Sequence, residues 1–288
     1  MTHWCVNWDM GPGKQVPAAR VGTLIFTCIA QVLEGTVLEQ DRYRVDGRKY
    51  ELYVMRRVNL PAEAPRLIVV SYQPNRLASA VVRTCIQAIQ QLTPEPHELW
   101  VVDNNSPRRN CEWLLRWPNL NVALNRTEPV VHEKRGLMKM IKHGEKQWRW
   151  GSYANAVGLE LGIRCISRNT HHIMTLHMDT MPCREGWLSF LRSRLTDRVV
   201  AAGVRMDRTR NPEGILHVLG CLVDFQLFRK LGLNFFPKLP EYDVGDLITV
   251  QLRRFGYRVF ACSNSLWEPH LVEEKLKGSP LENFTVDR

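Results

Sequence analysis

Continuous apolar runs that end in polar residues constrain the fold of this 288-residue chain more than any other feature. The four runs are RLIVVSYQPN, HELWVVDNNSP, NLNVALN and HHIMTLHMD, in chain order. Apolar runs without alternation are typical of strands that are buried on both faces. Segments with helical periodicity separate the runs, such as LASAVVRTCIQAIQQL after the first. We therefore predict an α/β fold, in which helices cover both faces of a mainly parallel central sheet.

Polar side chains gather where the predicted strands end. The first run ends at Ser71–Asn75, the second at Asp103–Ser106 and the fourth at His177–Thr180. One such ending would be an ordinary turn, because Asn, Asp and Ser form turns readily. Three endings together favour a nucleotide-type crevice, since the carboxyl ends of parallel strands meet where α/β proteins bind ligands. Neither a G-x-G-x-x-G sequence nor a P-loop sequence is present to explain it.

The triplet His177-Met178-Asp179 closes the fourth run. Side chains two residues apart on a strand point the same way, so His177 and Asp179 share one side. Such a pair suits a divalent metal or a ribose. A core histidine beside an aspartate that starts a turn is the alternative interpretation.

Charge and cysteine usage limit the classes of partner and compartment. The formal charge of +10, from 39 basic and 29 acidic residues, favours an anionic partner. The basic residues are spread through the chain without a recognition motif, so we do not expect nucleic acid. Eight scattered cysteines without a C-x-x-C pair predict reduced thiols in a cytoplasmic protein. The apolar run VGTLIFTCIAQVL at 21–33 is too short to span a bilayer, and peripheral contact with an anionic membrane stays open.

The front of the chain differs from the rest. Asp46-Gly47 between alternating segments predicts a two-residue hairpin turn, and NLPAEAP at 59–65 reads as a linker. We predict an N-terminal extension over residues 1–65, made of a hairpin plus a helix or strand. The main domain then covers 66–288, with a nucleotide-binding half at 66–182 and an acceptor half at 183–288.

Ordered motifs over roughly residues 66–272 resemble family 2 glycosyltransferases with the GT-A fold. LWVVDNNSP resembles the strand whose aspartate contacts the nucleotide base, and WGSYANAVGLELGI resembles the Gly-x-x-x-Asn-x-Gly helix beneath the sugar nucleotide. TLHMDTMPCREGWLSFL resembles the strand with the D-x-D triplet. EYDVGDLITVQLRRFGYRVFACSNSLWEPH resembles the segment with the catalytic aspartate and a terminal histidine.

The resemblance implies an inverting glycosyltransferase. It would move a sugar from a nucleotide diphosphate donor to a hydroxyl of a saccharide, a lipid-linked acceptor or another molecule. Asp246 is the expected general base, with Asp243 in reserve. Mn²⁺ or Mg²⁺ would be held by Asp179 and His270. Seven residues are expected around the nucleotide sugar, with Arg149 included for its charge in the basic segment 132–151: Ser71, Tyr72, Asn75, Asp103, Arg149, Asn155 and His177.

Two departures from the family pattern keep alternatives open. His177 replaces the first aspartate of the D-x-D triplet, and Gly245-Asp246 stands where the family has Glu-Asp. A catalytically silent protein of the same fold, which binds a nucleotide or an anionic polymer, is therefore the rival hypothesis. Asp246 also suits a plain helix N-cap, and His270 a surface position. Segment 132–151 precedes a helix that we predict to begin near Tyr153, and its charges suit a solvated helical face. Its residues Trp148 and Trp150 suit contact with a sugar ring or an anionic membrane surface.

Overall fold

Residues 38–129, 143–205 and 214–262 are those that the structure, a computed structural model, describes, with the backbone alone for residues 143–149. A nine-stranded sheet runs through these described residues and carries helices, which confirms the predicted mixed α/β class. The strands are β1 (Glu39–Val45), β2 (Arg48–Met55), β3 (Arg66–Ser71), β4 (Glu98–Asn104), β5 (Asn121–Asn125), β6 (His172–His177), β7 (Val199–Arg205), β8 (Leu216–Asp224) and β9 (Arg258–Cys262). The helices are α1 (Arg76–Leu92), α2 (Arg108–Cys111), α3 (His143–Cys165), α4 (Trp187–Ser193), α5 (Phe225–Lys230) and α6 (Asp246–Arg254), with a 3₁₀ turn at Glu112–Arg116.

The sheet is parallel in its centre and mixed at its flanks. Its strand order is β1-β2-β5-β4-β3-β6-β8-β7-β9. The neighbours β5, β4, β3 and β6 pair in parallel, as their continuous apolar sequences predict. On either side β2 and β8 join antiparallel, so the parallel part is limited to the four central strands and the β7–β9 pair. All four central strands therefore end at one edge.

Helix α3 packs closely on one face of the sheet because two glycines leave room for it. A Cβ on Gly158 would lie 2.4 Å from Val70 Cγ1, and one on Gly162 would lie 2.8 Å from Ile68 Cγ2. The helix begins at His143, ten residues before the start near Tyr153 that the sequence suggested. Trp148 and Trp150 thus lie on the helix and not in a loop before it.

The opposite face of the sheet is also covered. Leu67 and Val69 alternate with the residues under α3 and have no exposed surface. Helix α1 is capped by Asn75, whose side chain accepts from Ala78 N at 2.9 Å. Its buried residues are Ser79, Val82, Cys85, Ile86 and Ile89. The period of the sequence predicts a stripe of Ala78, Val81, Cys85, Ile89 and Leu92, of which Cys85 and Ile89 are buried and the other three are half-buried. The Cys85 thiol donates to the carbonyl oxygen of His177 at 3.6 Å, so α1 lies against the end of β6.

The front hairpin extends the main sheet. Asp46 and Gly47 join β1 to β2 with φ of 46° and 76°, the conformation that the Asp-Gly pair favours. Strand β2 pairs with β5, so the hairpin belongs to the same compact unit as the central strands. Residues 1–37 of the predicted extension lie outside the described residues.

The segment that precedes β3 is fixed by one buried arginine. Arg66, 1% exposed, forms an ion pair with Glu98 at 2.8 Å, and it also donates to the carbonyl oxygens of Leu60 and Pro61.

None of the helices in the described ranges is both long and apolar enough to cross a membrane.

Candidate active site

The structure brings the predicted strand ends to one edge. Ser71 pairs with Asp103 across β3 and β4, and Val70 pairs with His177 across β3 and β6. Asp179 follows two residues after the end of β6, and its side chain is 61% exposed. This carboxylate is therefore at the solvent-facing edge of the central strands and outside the core.

His177 holds the Asp179 carboxylate. Its Nδ1 lies 2.9 Å from Asp179 Oδ1, and its Nε2 lies 3.1 Å from the side-chain nitrogen of Asn155. A neutral imidazole with its proton on Nδ1 satisfies both contacts, because Nδ1–H donates to the carboxylate while Nε2 accepts from the amide. The hydrogen bond from His177 is the main cause that lowers the pKa of Asp179, against an opposing effect of burial. Asp179 is thus an oriented anion at neutral pH.

Asn155 reaches His177 because of how α3 packs. The residue lies about one turn before Gly158, where the helix approaches Val70 most closely. The side chain of Asn104, at the end of β4, donates to Ala154 O at 2.6 Å and ties the same turn to the sheet. The predicted contact residue Asn155 therefore faces the triplet, with its amide turned to the histidine.

Asp103 lies in a different environment. Its side chain has no exposed surface, and it accepts from the backbone and hydroxyl of Ser106. Arg126 lies 3.5 Å away. Burial raises the pKa of Asp103, while Ser106 and Arg126 oppose this effect. A contact of Asp103 with a nucleotide base stays a prediction.

The loop after β3 lies between these two carboxylates. Ser71 is fully buried, Tyr72 is half-buried, and the backbone N–H of Tyr72 donates to Met178 Sδ at 3.4 Å. Burial is the main cause that raises the pKa of Tyr72, with Asp103 and Glu128 adding to it. Tyr72 therefore lies near Asp103 of β4, near Glu128 in the segment after β5, and next to the triplet. Asn75 is exposed and caps α1.

The two candidate bases lie at the start of α6. Asp246 is 2% exposed, and its Oδ2 accepts from Asp243 N at 2.8 Å. Asp243 is 7% exposed, and its Oδ1 accepts from Val244 N. Both hydrogen bonds lie in the turn that precedes α6. The N-cap of α6 is Gly245, and no side chain caps the helix, so the N-cap role that the sequence left open for Asp246 is wrong. Gly245 has φ of 78° and no room for a side chain, because a Cβ would lie 2.3 Å from Val218 Cγ1.

Strand β8 connects α6 to the triplet. It pairs antiparallel with β6 as far as Leu176 opposite Gly220. His217 also contributes to lowering the pKa of Asp179. No local pattern points to His217, because the segment around it, ILHVLG, has no polar strand end. The pairing of β8 with β6 brings His217 close to Asp179.

Two predicted residues fall outside this description. His270 lies beyond the described residues, and Arg149 lies on the part of α3 for which only the backbone is described. Within the ranges described, no three His, Cys, Asp or Glu side chains are grouped as a metal site. Asp179 is therefore the described candidate ligand that can be tested first.

Comparisons with known proteins find similarity in structure only. No family model matches the sequence, and no curated protein sequence matches it. A mannosyltransferase from Pyrobaculum calidifontis, solved with GDP-Man and Mn²⁺, is 16% identical with a TM-score of 0.48. That match covers 69% of this chain and 55% of the mannosyltransferase.

Two further solved structures show the same kind of likeness. Mouse xyloside xylosyltransferase 1 is 12% identical over 79% of this chain and 96% of its own, with a TM-score of 0.42. The glycosyltransferase GlyE of Streptococcus pneumoniae TIGR4 is 10% identical over 76% of this chain and 54% of its own, with a TM-score of 0.41. At these identities the likeness concerns the arrangement of sheet and helices, not the chemistry of individual residues.

Proposed function

We propose that this protein is a glycosyltransferase that moves a sugar from a nucleotide diphosphate donor to a hydroxyl group. The observation that carries the proposal is the exposed Asp179 carboxylate, held by His177 at the edge where four parallel strands end. In α/β proteins this edge is the usual place for a nucleotide. The half-buried ring of Tyr72 beside it supplies an aromatic surface for a base.

The residues at this edge fit a divalent cation bound together with a diphosphate. Mg²⁺ is commonly held by one or two carboxylates plus substrate phosphates, and Asp179 offers one such carboxylate. A low pKa keeps it charged, as a metal ligand must be. Bound there, Mn²⁺ or Mg²⁺ would neutralise charge on the leaving diphosphate. His270 is the expected second ligand by family resemblance.

His177 acts on the carboxylate and not on the cation in this proposal. Both of its ring nitrogens already have partners, Asp179 and Asn155. A histidine that donates to a ligating carboxylate fixes its orientation, as outer hydrogen bonds do in other metal sites. Replacement of the first aspartate of the D-x-D triplet by His177 is therefore compatible with one remaining carboxylate ligand.

Asp246 is the proposed general base, and the proposed reaction inverts the anomeric configuration. An inverting displacement needs a carboxylate that faces the acceptor hydroxyl from the side opposite the leaving group. Gly245, at the start of α6, lies against Val218 of β8, and the neighbouring His217 contributes to lowering the pKa of Asp179. Asp243, the reserve base, is one turn away.

A thermal-shift screen of nucleotide sugars with and without Mn²⁺ tests the donor, because a ligand that binds only the folded state raises the melting temperature. The identified donor is then used in a transfer assay with candidate acceptors. Asp246→Asn should lower transfer by about 10²- to 10⁴-fold and leave the thermal shift by the donor unchanged. Undiminished transfer by this variant would remove Asp246 from the mechanism.

The same assay separates the silent-binder alternative. An enzyme should release free sugar slowly from its donor in Mn²⁺ even without acceptor. A protein that raises its melting temperature with donor but releases no sugar and transfers none would be a binder alone.

A further inference from the structure

A groove on the flank of α1 and α2 carries three arginines that the proposed reaction does not use. Its volume is about 570 Å³, and Arg76, Arg83 and Arg109 line it together with Asn75, Asn110 and Trp113. We call it the arginine groove. Cavities of this size fall in the range of small-molecule sites. None of the described residues that line it has a carboxylate.

The three arginines are not neutralised within the described chain. Other arginines there form ion pairs, such as Arg66 with Glu98 and Arg164 with Glu160. No ion pair with a described residue involves Arg76, Arg83 or Arg109. All three are exposed at the groove. The groove is therefore a concentrated positive surface on a chain with a formal charge of +10.

The wall of the groove is built and held in place. Residues 76, 79, 80 and 83 share one face of α1, because positions three and four apart on a helix are neighbours. Trp113 donates from its ring nitrogen to Gln73 Oε1 at 3.0 Å and to Asn110 O at 2.8 Å. The guanidinium of Arg83 lies 3.9 Å from the centre of the Trp113 ring. This cation–π contact limits the positions that Arg83 adopts and holds its charge at the groove.

We propose that the arginine groove binds a ligand with a terminal phosphate or diphosphate group. A guanidinium offers a planar fork of donors that matches phosphate oxygens, and three of them suit a group with two or more negative charges. A phosphodiester has one charge per phosphorus and calls for a longer track of basic residues. Of the residues expected around the nucleotide sugar and its metal, Asn75 also lines the groove, whereas Asp179, His177 and Tyr72 do not.

Isothermal calorimetry with inorganic pyrophosphate in EDTA tests the proposal, because chelation suppresses binding through a divalent cation. Arg83→Gln/Arg109→Gln should weaken pyrophosphate binding by at least about tenfold, as loss of hydrogen bonds between charged groups predicts. Arg116→Gln/Arg198→Gln is the matched control, since it removes the same charge from two exposed arginines outside the groove. It should bind as the wild type does.

Arg109→Gln alone provides a second test if loss of the Arg83 contact with Trp113 unfolds the double variant. Arg109 has no recorded contact with that ring, so its substitution should keep the melting temperature and still weaken binding. Equal affinity of wild type and Arg109→Gln, or no pyrophosphate binding by the wild type, would overturn the proposal. Transfer activity of Arg109→Gln is independent of this result, because the strand-end residues are unchanged.

Two further arms identify the source of the phosphate. Co-sedimentation with phosphatidylcholine vesicles that contain phosphatidic acid, lost in Arg109→Gln and displaced by pyrophosphate, would assign a lipid headgroup. Pyrophosphate binding without sedimentation would assign a soluble phosphate, and both results support the groove. Binding of a single-stranded oligonucleotide that depends on Arg109, without pyrophosphate binding, would contradict a terminal phosphate.

Discussion

The end of β6 and the end of β4 place an aspartate after an apolar run, yet the two carboxylates have opposite surroundings. Asp179 is 61% exposed and receives its main hydrogen bond from His177. Asp103 has no exposed surface and is enclosed by Ser106 and Arg126. The pKa of Asp179 is lowered and that of Asp103 is raised.

This difference separates two roles at one sheet edge. A buried carboxylate whose oxygens are taken by its own loop shapes that loop, and its removal costs stability. An exposed carboxylate that one histidine orients remains accessible to a ligand, and its removal costs binding or activity. Substitutions at the two positions should therefore have different main effects.

Asp179→Asn should have the largest effect. If the proposed function holds, transfer should fall by about 10²- to 10³-fold, because the variant loses the charge that faces the donor diphosphate. Its urea midpoint should stay near that of the wild type, because the side chain is mostly exposed. Asp197→Asn, at an exposed turn, is the matched control and should retain activity. Full transfer by Asp179→Asn would show that the exposed carboxylate has no role in the reaction.

Asp103→Asn should lower the free energy of unfolding by about 1–3 kcal/mol, since a buried amide nitrogen would face donors where a carboxylate oxygen now accepts. Urea denaturation followed by circular dichroism measures this change. A midpoint equal to that of the wild type would show that the Ser106 and Arg126 contacts add nothing net to stability. The proposed structural role of Asp103, in contrast to the functional role of Asp179, would then be wrong.

Gly158→Ala should lower the free energy of unfolding by about 1–2 kcal/mol. The new methyl would overlap the stiff side chain of Val70, and this overpacking outweighs the gain in helix propensity. Gly151→Ala, in the same helix with no heavy atom within 4 Å of the new Cβ, should instead raise it by about 0.5–1 kcal/mol. Paired urea titrations compare the two. Equal effects of the two substitutions would mean that the close approach of Gly158 to Val70 is not needed to hold α3, and with it Asn155, in place.

His177→Phe should raise the pKa of Asp179 toward the ordinary value of 3.8, because the hydrogen bond that favours the charged form is lost. In the wild type, the pKa of Asp179 is lower in the folded state than in the unfolded state. The charged carboxylate therefore stabilises the fold at a pH above the unfolded-state pKa, and this stabilisation is lost as the pH falls through the folded-state pKa. Carbon-13 NMR titration of the Asp179 carboxyl in the wild type and in His177→Phe measures the shift in the pKa. An unchanged titration midpoint of Asp179 would mean that a group other than His177 lowers its pKa.

Local sequence was informative where the physics is local. The Asp46-Gly47 turn and the apolar strands follow from backbone preference and periodicity, and both are present. Of the predicted α1 stripe, Cys85 and Ile89 are buried. The start of α3 was placed ten residues too late, because HGEKQWRWGS has charged and aromatic residues all round and no clear apolar period. The pairing of parallel strands then brought their polar ends to one edge, as expected.

By itself, the sequence determined that polar residues close several interior strands and so collect at one edge of an α/β sheet. Only the tertiary structure decided which of them face solvent. Asp103 pairs with Arg126, Asn155 holds His177, which orients Asp179, and His217 on an antiparallel strand further lowers the pKa of Asp179. These partners are 22 to 38 residues away along the chain, and exposure and pKa are set by such distant neighbours, which no local pattern encodes.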